Sequence, residues 1–203
     1  MRNTVGCLEV GGIGCKVHAR EQMLMTTADT GERILDFGAA GMWWEVTRST
    51  ADTAGAYFEA VNVIGPGFDG PPLHAHPTAE ETYAVTAGVL EVCVDGVWRR
   101  VGAGESATVP AGVPHTLRNS SGAEVRLVNR HTPALGFERF FRRLHAMAAA
   151  GEVTLPPRGF GAVVRLSMLF TEHEREIVSV KPPRVVMRVL ARVGRVLGYR
   201  LPG

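Results

Sequence analysis

The sequence predicts a mainly β fold that carries a helical extension at its C-terminal end. Between Arg33 and Arg130, short apolar runs alternate with glycine, proline, aspartate and asparagine, which is the pattern of strands in a β-sandwich or barrel. After Pro133 the apolar period changes to that of helices. The dipeptide Asp95-Gly96 separates the runs VLEVCV and VWRRV and predicts a tight hairpin, because a type I′ turn needs positive φ at both central residues.

The chain divides into three predicted segments. It has 203 residues, 45% of them hydrophobic and 21% charged, which suits one main domain with an extension. Residues 1–30 show no sustained period and predict an N-terminal arm, residues 31–132 contain the predicted strands, and residues 133–203 form the predicted helical extension.

The chain carries no recognisable export or membrane signal. Glu9 interrupts the apolar core that a signal peptide would need, and the longest apolar runs are too short to span a bilayer. We therefore expect a cytoplasmic protein. Cys7, Cys15 and Cys93 are odd in number and form no CxxC pair, so free thiols are expected rather than disulfides or a thiolate metal site.

The extension is basic, whereas the rest of the chain is acidic. Residues 1–133 contain 10 Lys and Arg against 15 Asp and Glu, and residues 134–203 contain 12 against 5. The last helical run has apolar residues on one side, at Val185, Val186, Val189, Leu190, Val193, Val196 and Leu197, and arginines on the other, at Arg184, Arg188, Arg192 and Arg195. We expect the apolar side to pack on the barrel or across a homodimer. Peripheral contact with an acidic membrane is a less favoured alternative, and no nucleic-acid reader motif accompanies the arginines.

Two stretches concentrate side chains that can bind a metal. Residues 71–85, PPLHAHPTAEETYAV, contain His74 and His76, which project to the same face of a strand, followed by two adjacent glutamates. Residues 104–119, GESATVPAGVPHTLRN, contain a tight turn after which a new strand begins at His115. Three imidazoles and one carboxylate, brought together inside a barrel, would form a mixed nitrogen and oxygen site for a divalent first-row metal.

These two stretches resemble the paired motifs of the cupins, in particular the small single-domain, quercetinase-like cupins of the cupin 2 type. The first motif is matched by His74, His76, Glu81 and Gly88, and the second by Gly104, Pro110, Gly112, His115 and Asn119. The resemblance extends over about residues 33–130. It implies a jelly-roll barrel, or double-stranded β-helix, with a metal ion in its lumen that is held by His74, His76, Glu81 and His115.

Strand alternation separates the two adjacent glutamates. Neighbouring residues on a strand point to opposite faces, so only one of Glu80 and Glu81 can reach an ion held by the histidines. The spacing to Gly88 selects Glu81, and Glu80 is expected in solvent. Tyr83 shares the face of Glu81 and is, with Glu81, the candidate catalytic residue. The remaining histidines, His18, His131, His145 and His173, lack partners at ligand spacing and are interpreted as surface or packing residues.

Three functions are compatible with such a site. An ion that accepts six ligands keeps two positions beside three histidines and one glutamate. The preferred hypothesis is an Fe, Mn or Ni enzyme that oxygenates a small enol or phenol, bound as an oxyanion; Zn is a further candidate for the metal of the site. The second is a redox-neutral cyclase, isomerase or lyase in which Glu81 moves a proton. The third is a sensor that binds a metabolite or metal without turnover. All three hypotheses are kept because cupins of all these kinds exist, and the fold alone does not decide among them.

Overall fold

Two antiparallel sheets form the β part of the chain in the computed structural model, which describes residues 33–203. The predicted arm, together with Cys7, Cys15 and His18, lies outside the described residues. The first sheet has the strand order β1-β2-β3-β10-β5-β8, with β1 Ile34–Asp36, β2 Met42–Arg48, β3 Phe58–Ile64, β5 Glu80–Ala87, β8 Ser106–Val109 and β10 Val125–Thr132. The second has the order β11-β4-β9-β6-β7, with β4 His74–Ala75, β6 Val89–Val94, β7 Val97–Gly102, β9 His115–Arg118 and β11 Val178–Ser179.

The apolar core lies between the two sheets. Strand β10 alternates buried Val125 and Leu127 with exposed Arg126, as a strand with one core face must. Tyr83 and Val85 from the first sheet belong to one buried cluster with residues of the second, among them Leu90, Val92 and Leu117. The predicted mainly β, jelly-roll fold is confirmed, and its strands remain two hydrogen-bonded sheets rather than one closed ring.

The predicted hairpin turn is also confirmed. Asp95 and Gly96 have φ values of 49° and 80°, and the flanking residues Val94 and Val97 pair across the two strands. Positive φ at both central residues is the requirement of a type I′ turn, whose twist matches that of the strands it joins.

Three helices follow the strands among the described residues: α1 Phe137–Ala149, α2 Phe160–Glu172 and α3 Arg184–Val196. A second apolar cluster joins Phe58 and Trp44 of the first sheet to Phe137, Phe140 and Leu144 of α1. Between α2 and α3 the chain adds β11 to the second sheet, where Ser179 pairs with His74. The extension therefore contributes directly to the sheet that carries a candidate ligand. Within residues 33–203, no helix combines the length and apolar character needed to cross a membrane.

Helix α3 packs through a different face from the one expected. It buries Met187, Ala191 and Gly194, and Ala191 joins Val164 and Met168 of α2 in a small cluster. Its valines stay outside, with Val185 66% and Val196 86% exposed, so packing of this apolar side on the barrel was a wrong expectation. The physical reason is close approach of the two helices: a Cβ at Gly194 would lie 2.3 Å from Cγ1 of Val164, so only a residue without a side chain fits.

Ion pairs reinforce the attachment of α3. Arg188 donates two hydrogen bonds to the Glu174 carboxylate, at 2.7 Å and 2.6 Å, and Arg184 donates to the same group. These hydrogen bonds, led by those of Arg188, lower the pKa of Glu174 to about 2. The two arginines on this side of α3 are thus bound within the chain rather than available to a partner.

Gly70 lies where the loop before β4 approaches β9 closely. Its φ is +84°, and a Cβ at this position would lie 1.7 Å from the carbonyl oxygen of Leu117. Gly67, in the same loop, has φ +71° but nothing within 4 Å of an added Cβ. Comparing Gly70 with Gly67 therefore distinguishes the effect of a steric clash from that of backbone strain alone.

Substituting these glycines therefore predicts unequal losses of stability. Gly67→Ala should lower the free energy of unfolding by about 1 kcal/mol, since it adds only the strain of a left-handed alanine. Gly70→Ala should lower it by about 3 kcal/mol or more, because backbone must also move away from the new methyl group. Urea denaturation of both variants measures the difference, and equal losses would show that the approach to Leu117 does not constrain the fold.

Candidate metal centre

Four side chains from both sheets converge in one buried cluster. His74 lies on β4 opposite His115 on β9, His76 follows β4 directly, and Glu81 comes from β5 of the other sheet. All four are buried, and one potential ligand atom from each lies within 4.8 Å of the others. The structure thus brings together the four residues that the cupin resemblance implied, and they form a cluster that can hold a metal ion.

Backbone carbonyls fix the orientation of the three imidazoles. Nδ1 of His74 lies 2.8 Å from the carbonyl oxygen of Pro72, and Nδ1 of His115 lies 2.9 Å from that of Val113. Nδ1 of His76 lies 2.7 Å from the carbonyl oxygen of Glu176. Because a carbonyl oxygen only accepts, each Nδ1 carries the proton and each Nε2 of the neutral ring presents a lone pair. Metal-binding histidines are typically held in this way.

The distances at the Glu81 carboxylate fit a metal ion. Nε2 of His76 and Nε2 of His115 lie 2.9 Å and 2.8 Å from Oε2 of Glu81. Two ligands that are each about 2.1 Å from a metal and at right angles to one another lie about 3.0 Å apart. Nitrogen lone pairs directed towards a carboxylate oxygen need a proton or a cation between them, so the donor set and its spacing suit a divalent first-row metal.

The second oxygen of Glu81 is held by strand β10. The side-chain amide of Asn129 donates a hydrogen bond to Oε1 at 2.7 Å, and Nε2 of His131 lies 3.2 Å from the same oxygen. Both ring nitrogens of His131 and Oδ1 of Asn129 are buried without a hydrogen-bond partner among the described residues. The cluster is therefore larger than the four candidate ligands, and three of its polar atoms remain available to a bound molecule.

Sequence reasoning missed Asn129 and His131. His131 is a packing residue, as interpreted from the sequence, since it is fully buried on Phe137 with ring centroids 4.0 Å apart, but it also lies beside Glu81. The signal that could have found both residues is the alternation of β10, VRLVNRHT, which turns Asn129 and His131 to the same face as Val125 and Leu127. Polar residues at core-facing positions of a strand point to a site.

The extension reaches the site, although it lies outside the cupin resemblance. The carbonyl that orients His76 belongs to Glu176, 100 residues along the chain. The Glu176 carboxylate in turn accepts a hydrogen bond from the backbone N–H of Gly136, at 3.1 Å, just before α1. His173, placed with the surface or packing residues, is buried nearby with Nδ1 3.5 Å from the Glu176 carboxylate. Residues that follow the barrel thus position one of its candidate ligands.

Burial and charge set the protonation of the cluster. Burial alone would raise the pKa of Glu81, but the charges of His131 and His76 and the hydrogen bond with His115 hold that pKa well below its ordinary value. Burial, with the nearby His115 and His76, keeps the pKa of His74 well below its ordinary value. The carboxylate is therefore ionised and His74 is neutral, which are the forms that bind a metal.

Tyr83 lies beside Glu81, as strand alternation predicts. Burial, followed by the Glu81 charge and a hydrogen bond to Glu81, raises the pKa of Tyr83 well above its ordinary value. The phenol therefore keeps its proton and donates to the carboxylate. Glu80 is exposed on the opposite face of β5, as expected.

Asn119 of the second motif lies away from the ligand cluster and serves the fold. Its side-chain amide donates to the backbone carbonyls of Ile64, Gly65 and Ala123, at distances between 2.8 Å and 3.1 Å. It is fully buried, so these bonds satisfy a polar group that burial would otherwise penalise. The motif thus combines a candidate ligand, His115, with a residue that fastens the end of β9 to the end of β3.

The strand-rich part of the chain is similar in sequence to known proteins. Residues 61–129 match the family model for the Cupin domain, Cupin_2. This segment therefore has the sequence pattern of a cupin domain. Protein SchB of Streptomyces halstedii is 41% identical over 81 residues, which are 39% of this chain and 58% of SchB. Quercetin 2,3-dioxygenase of Bacillus subtilis (strain 168) is 39% identical over 74 residues, which are 36% of this chain and 21% of that enzyme. The matched segments thus span just over half of the first relative and about a fifth of the second.

Solved structures that resemble this chain cover about half of it. TT1209 from Thermus thermophilus is 21% identical with a TM-score of 0.43, over 49% of this chain and 90% of that one. An RmlC-like cupin from Shewanella frigidimarina NCIMB 400 is 26% identical with a TM-score of 0.43, over 52% of this chain and 88% of that one.

Substitution of the two adjacent glutamates tests the orientation of β5. Glu81→Gln should retain the fold but lower metal affinity by about tenfold or more, because an amide has no charge and binds metals weakly. Glu80→Gln is the matched control and should leave metal affinity unchanged, since its side chain is exposed. Titration of metal-depleted protein with Ni²⁺ or Mn²⁺ measures both affinities. A loss of metal affinity in Glu80→Gln but not in Glu81→Gln would contradict the assignment of Glu81 as a ligand.

As pH falls, metal binding should begin to weaken at a higher pH than it would if His115 had an ordinary histidine pKa. Burial lowers the pKa of His115, but its hydrogen bond to Glu81 and the charge of that group outweigh burial and raise this pKa above its ordinary value. A metal competes with the proton on Nε2, so metal affinity should be independent of pH above the raised pKa of His115 and should fall as pH drops below it. Titrations at a series of pH values measure the pH at which the affinity begins to fall, and an onset below the ordinary histidine pKa would contradict the assignment of His115.

Proposed function

We propose that this chain is a metal-dependent cupin enzyme that oxygenates a small enol or phenol. The observation that carries the proposal is the convergence of three carbonyl-oriented imidazoles on the Glu81 carboxylate in a buried space between two sheets. His74, His76, Glu81 and His115 would hold the metal. The 39% identity to quercetin 2,3-dioxygenase over 74 residues supports an oxygenase over the other reactions of cupins.

A divalent first-row ion, Fe, Mn, Ni or Zn, would supply Lewis acidity and, with six ligands, two further positions for small molecules. The ionised Glu81 is suited to accept the hydroxyl proton of an enol or phenol as the substrate enters. Asn129 holds Oε1 of this carboxylate, which leaves Oε2 directed to His76 and His115. Tyr83 keeps its own proton and donates to Glu81, so it stabilises the ionised carboxylate between proton transfers.

Aromatic side chains form an apolar wall beside the cluster. The ring of Phe137 meets the rings of His76 and His131 with centroids 4.8 Å and 4.0 Å apart, and Phe141 lies 5.6 Å from His131. Such a wall excludes water and strengthens the electrostatic interactions inside it. It also offers stacking surface to an unsaturated substrate, which is consistent with an enol or phenol.

The surroundings of Glu81 also support a second candidate, a redox-neutral cyclase, isomerase or lyase. Glu81 receives a hydrogen bond from Asn129 and is close to Tyr83 and His131, which is how a protein orients a carboxylate for proton transfer. This arrangement serves proton transfer with or without dioxygen. The need for dioxygen therefore separates the two candidates.

Turnover should require dioxygen. Reconstituted protein is incubated with a panel of enols, phenols and keto acids in air and under strict anaerobiosis, and product is analysed after labelling with ¹⁸O₂. The proposal predicts labelled product in air, none without oxygen, and turnover reduced by about a thousandfold or more in Glu81→Gln. Full anaerobic activity would establish the redox-neutral candidate instead. Metal binding without turnover of any of these substrates would favour a sensor.

A further inference from the structure

The exposed side of α3 presents an apolar strip that no described residue covers. The strip consists of Val185, Val186, Val189, Val193, Val196 and Leu197, hereafter the valine face. Val189 is 55% exposed and Leu197 59%, whereas the helix attaches to α2 through Met187, Ala191 and Gly194. Because the attachment uses none of the valines, their presence at helical spacing on an outer surface calls for another partner.

Unpaired arginines border the valine face. Arg192 lies one helical turn from Val189 and from Val196, and Arg195 continues the same side of the helix. Both are exposed, and neither guanidinium group takes part in a hydrogen bond or ion pair with the described residues, in contrast to those of Arg184 and Arg188 on Glu174. The arginine border of the valine face is thus cationic and free to contact a partner.

No acidic side chain of the extension is left unpaired to neutralise these arginines. Each of its five acidic residues already has a partner within the chain, in the pairs Glu138 with Arg142, Glu152 with Arg165, Glu172 with Arg143, Glu174 with Arg188, and Glu176 with the N–H of Gly136. The excess of 12 basic over 5 acidic residues therefore remains directed outwards. A partner for this surface must be anionic as well as apolar.

We propose that the valine face and its arginine border bind the surface of an anionic lipid bilayer. A helix of 13 residues is about 20 Å long and can lie in the plane of the interface, with valines at the acyl boundary and guanidinium groups at headgroup phosphates. A second copy of the chain fits less well, because symmetric antiparallel pairing of α3 would bring the two arginine borders together. The proposal is independent of the metal centre and of its reaction.

Vesicle sedimentation of the full-length protein tests the proposal. Protein should sediment with phosphatidylcholine vesicles that contain phosphatidylglycerol, remain in solution with phosphatidylcholine alone, and be released by salt. Arg192→Gln with Arg195→Gln should weaken binding by about thirtyfold. Val189→Ser with Val193→Ser and Val196→Ser should weaken it by more than about tenfold, since the face loses apolar area.

Two controls make the result specific. Arg99→Gln with Arg100→Gln removes the same charge from exposed positions on β7 and should leave vesicle binding unchanged. Circular dichroism and melting temperature establish that each variant is folded. Absence of binding to phosphatidylglycerol vesicles, or an equal loss in the β7 control, would overturn the proposal. A serine variant that changes the oligomeric mass in solution but not vesicle binding would overturn it as well and assign the face to a second copy.

Discussion

The buried carboxylate of Glu81 is the group on which the arrangement of the site depends. It crosses from the first sheet to histidines carried by the second, and an ionised carboxylate without partners would cost several kcal/mol at this depth. The Asn129 amide on one oxygen, and a proton or cation shared with the imidazoles on the other, remove that cost. The strands that supply these partners must therefore keep their register, since a shift of one residue would turn each partner to the opposite face.

The three histidines can direct Nε2 to the Glu81 carboxylate only because backbone carbonyls bind the Nδ1–H on the other side of each ring. Pro72, Val113 and Glu176 each offer a carbonyl to an Nδ1–H, which leaves the Nε2 atoms turned to the same point. Two of these carbonyls lie two residues from the histidine they orient, in the turns that precede the strands. The third comes from the extension, so β11 and the residues before it form part of the support of the cupin site.

Motif spacing was sufficient to predict the residues whose geometry is local. His74 and His76 share a face because strand side chains alternate, the spacing to Gly88 selects Glu81 over Glu80, and Asp95-Gly96 requires a particular turn. Asn129, His131 and Glu176 were not predicted, because their relation to the site arises only when β10 and the extension pack against it. The face by which α3 attaches was not predicted either, since the close fit of Gly194 on Val164 depends on the separation of two helices.

X-ray absorption spectroscopy of the metal-reconstituted protein tests the central claim most directly. If the carbonyl-oriented imidazoles and Glu81 hold the ion, the fine structure should contain the multiple-scattering pattern of three imidazoles at about 2.1 Å together with carboxylate oxygen. His115→Ala should remove one imidazole from that shell. A bound metal surrounded by oxygen atoms without imidazole scattering, or a spectrum unchanged in His115→Ala, would contradict the account.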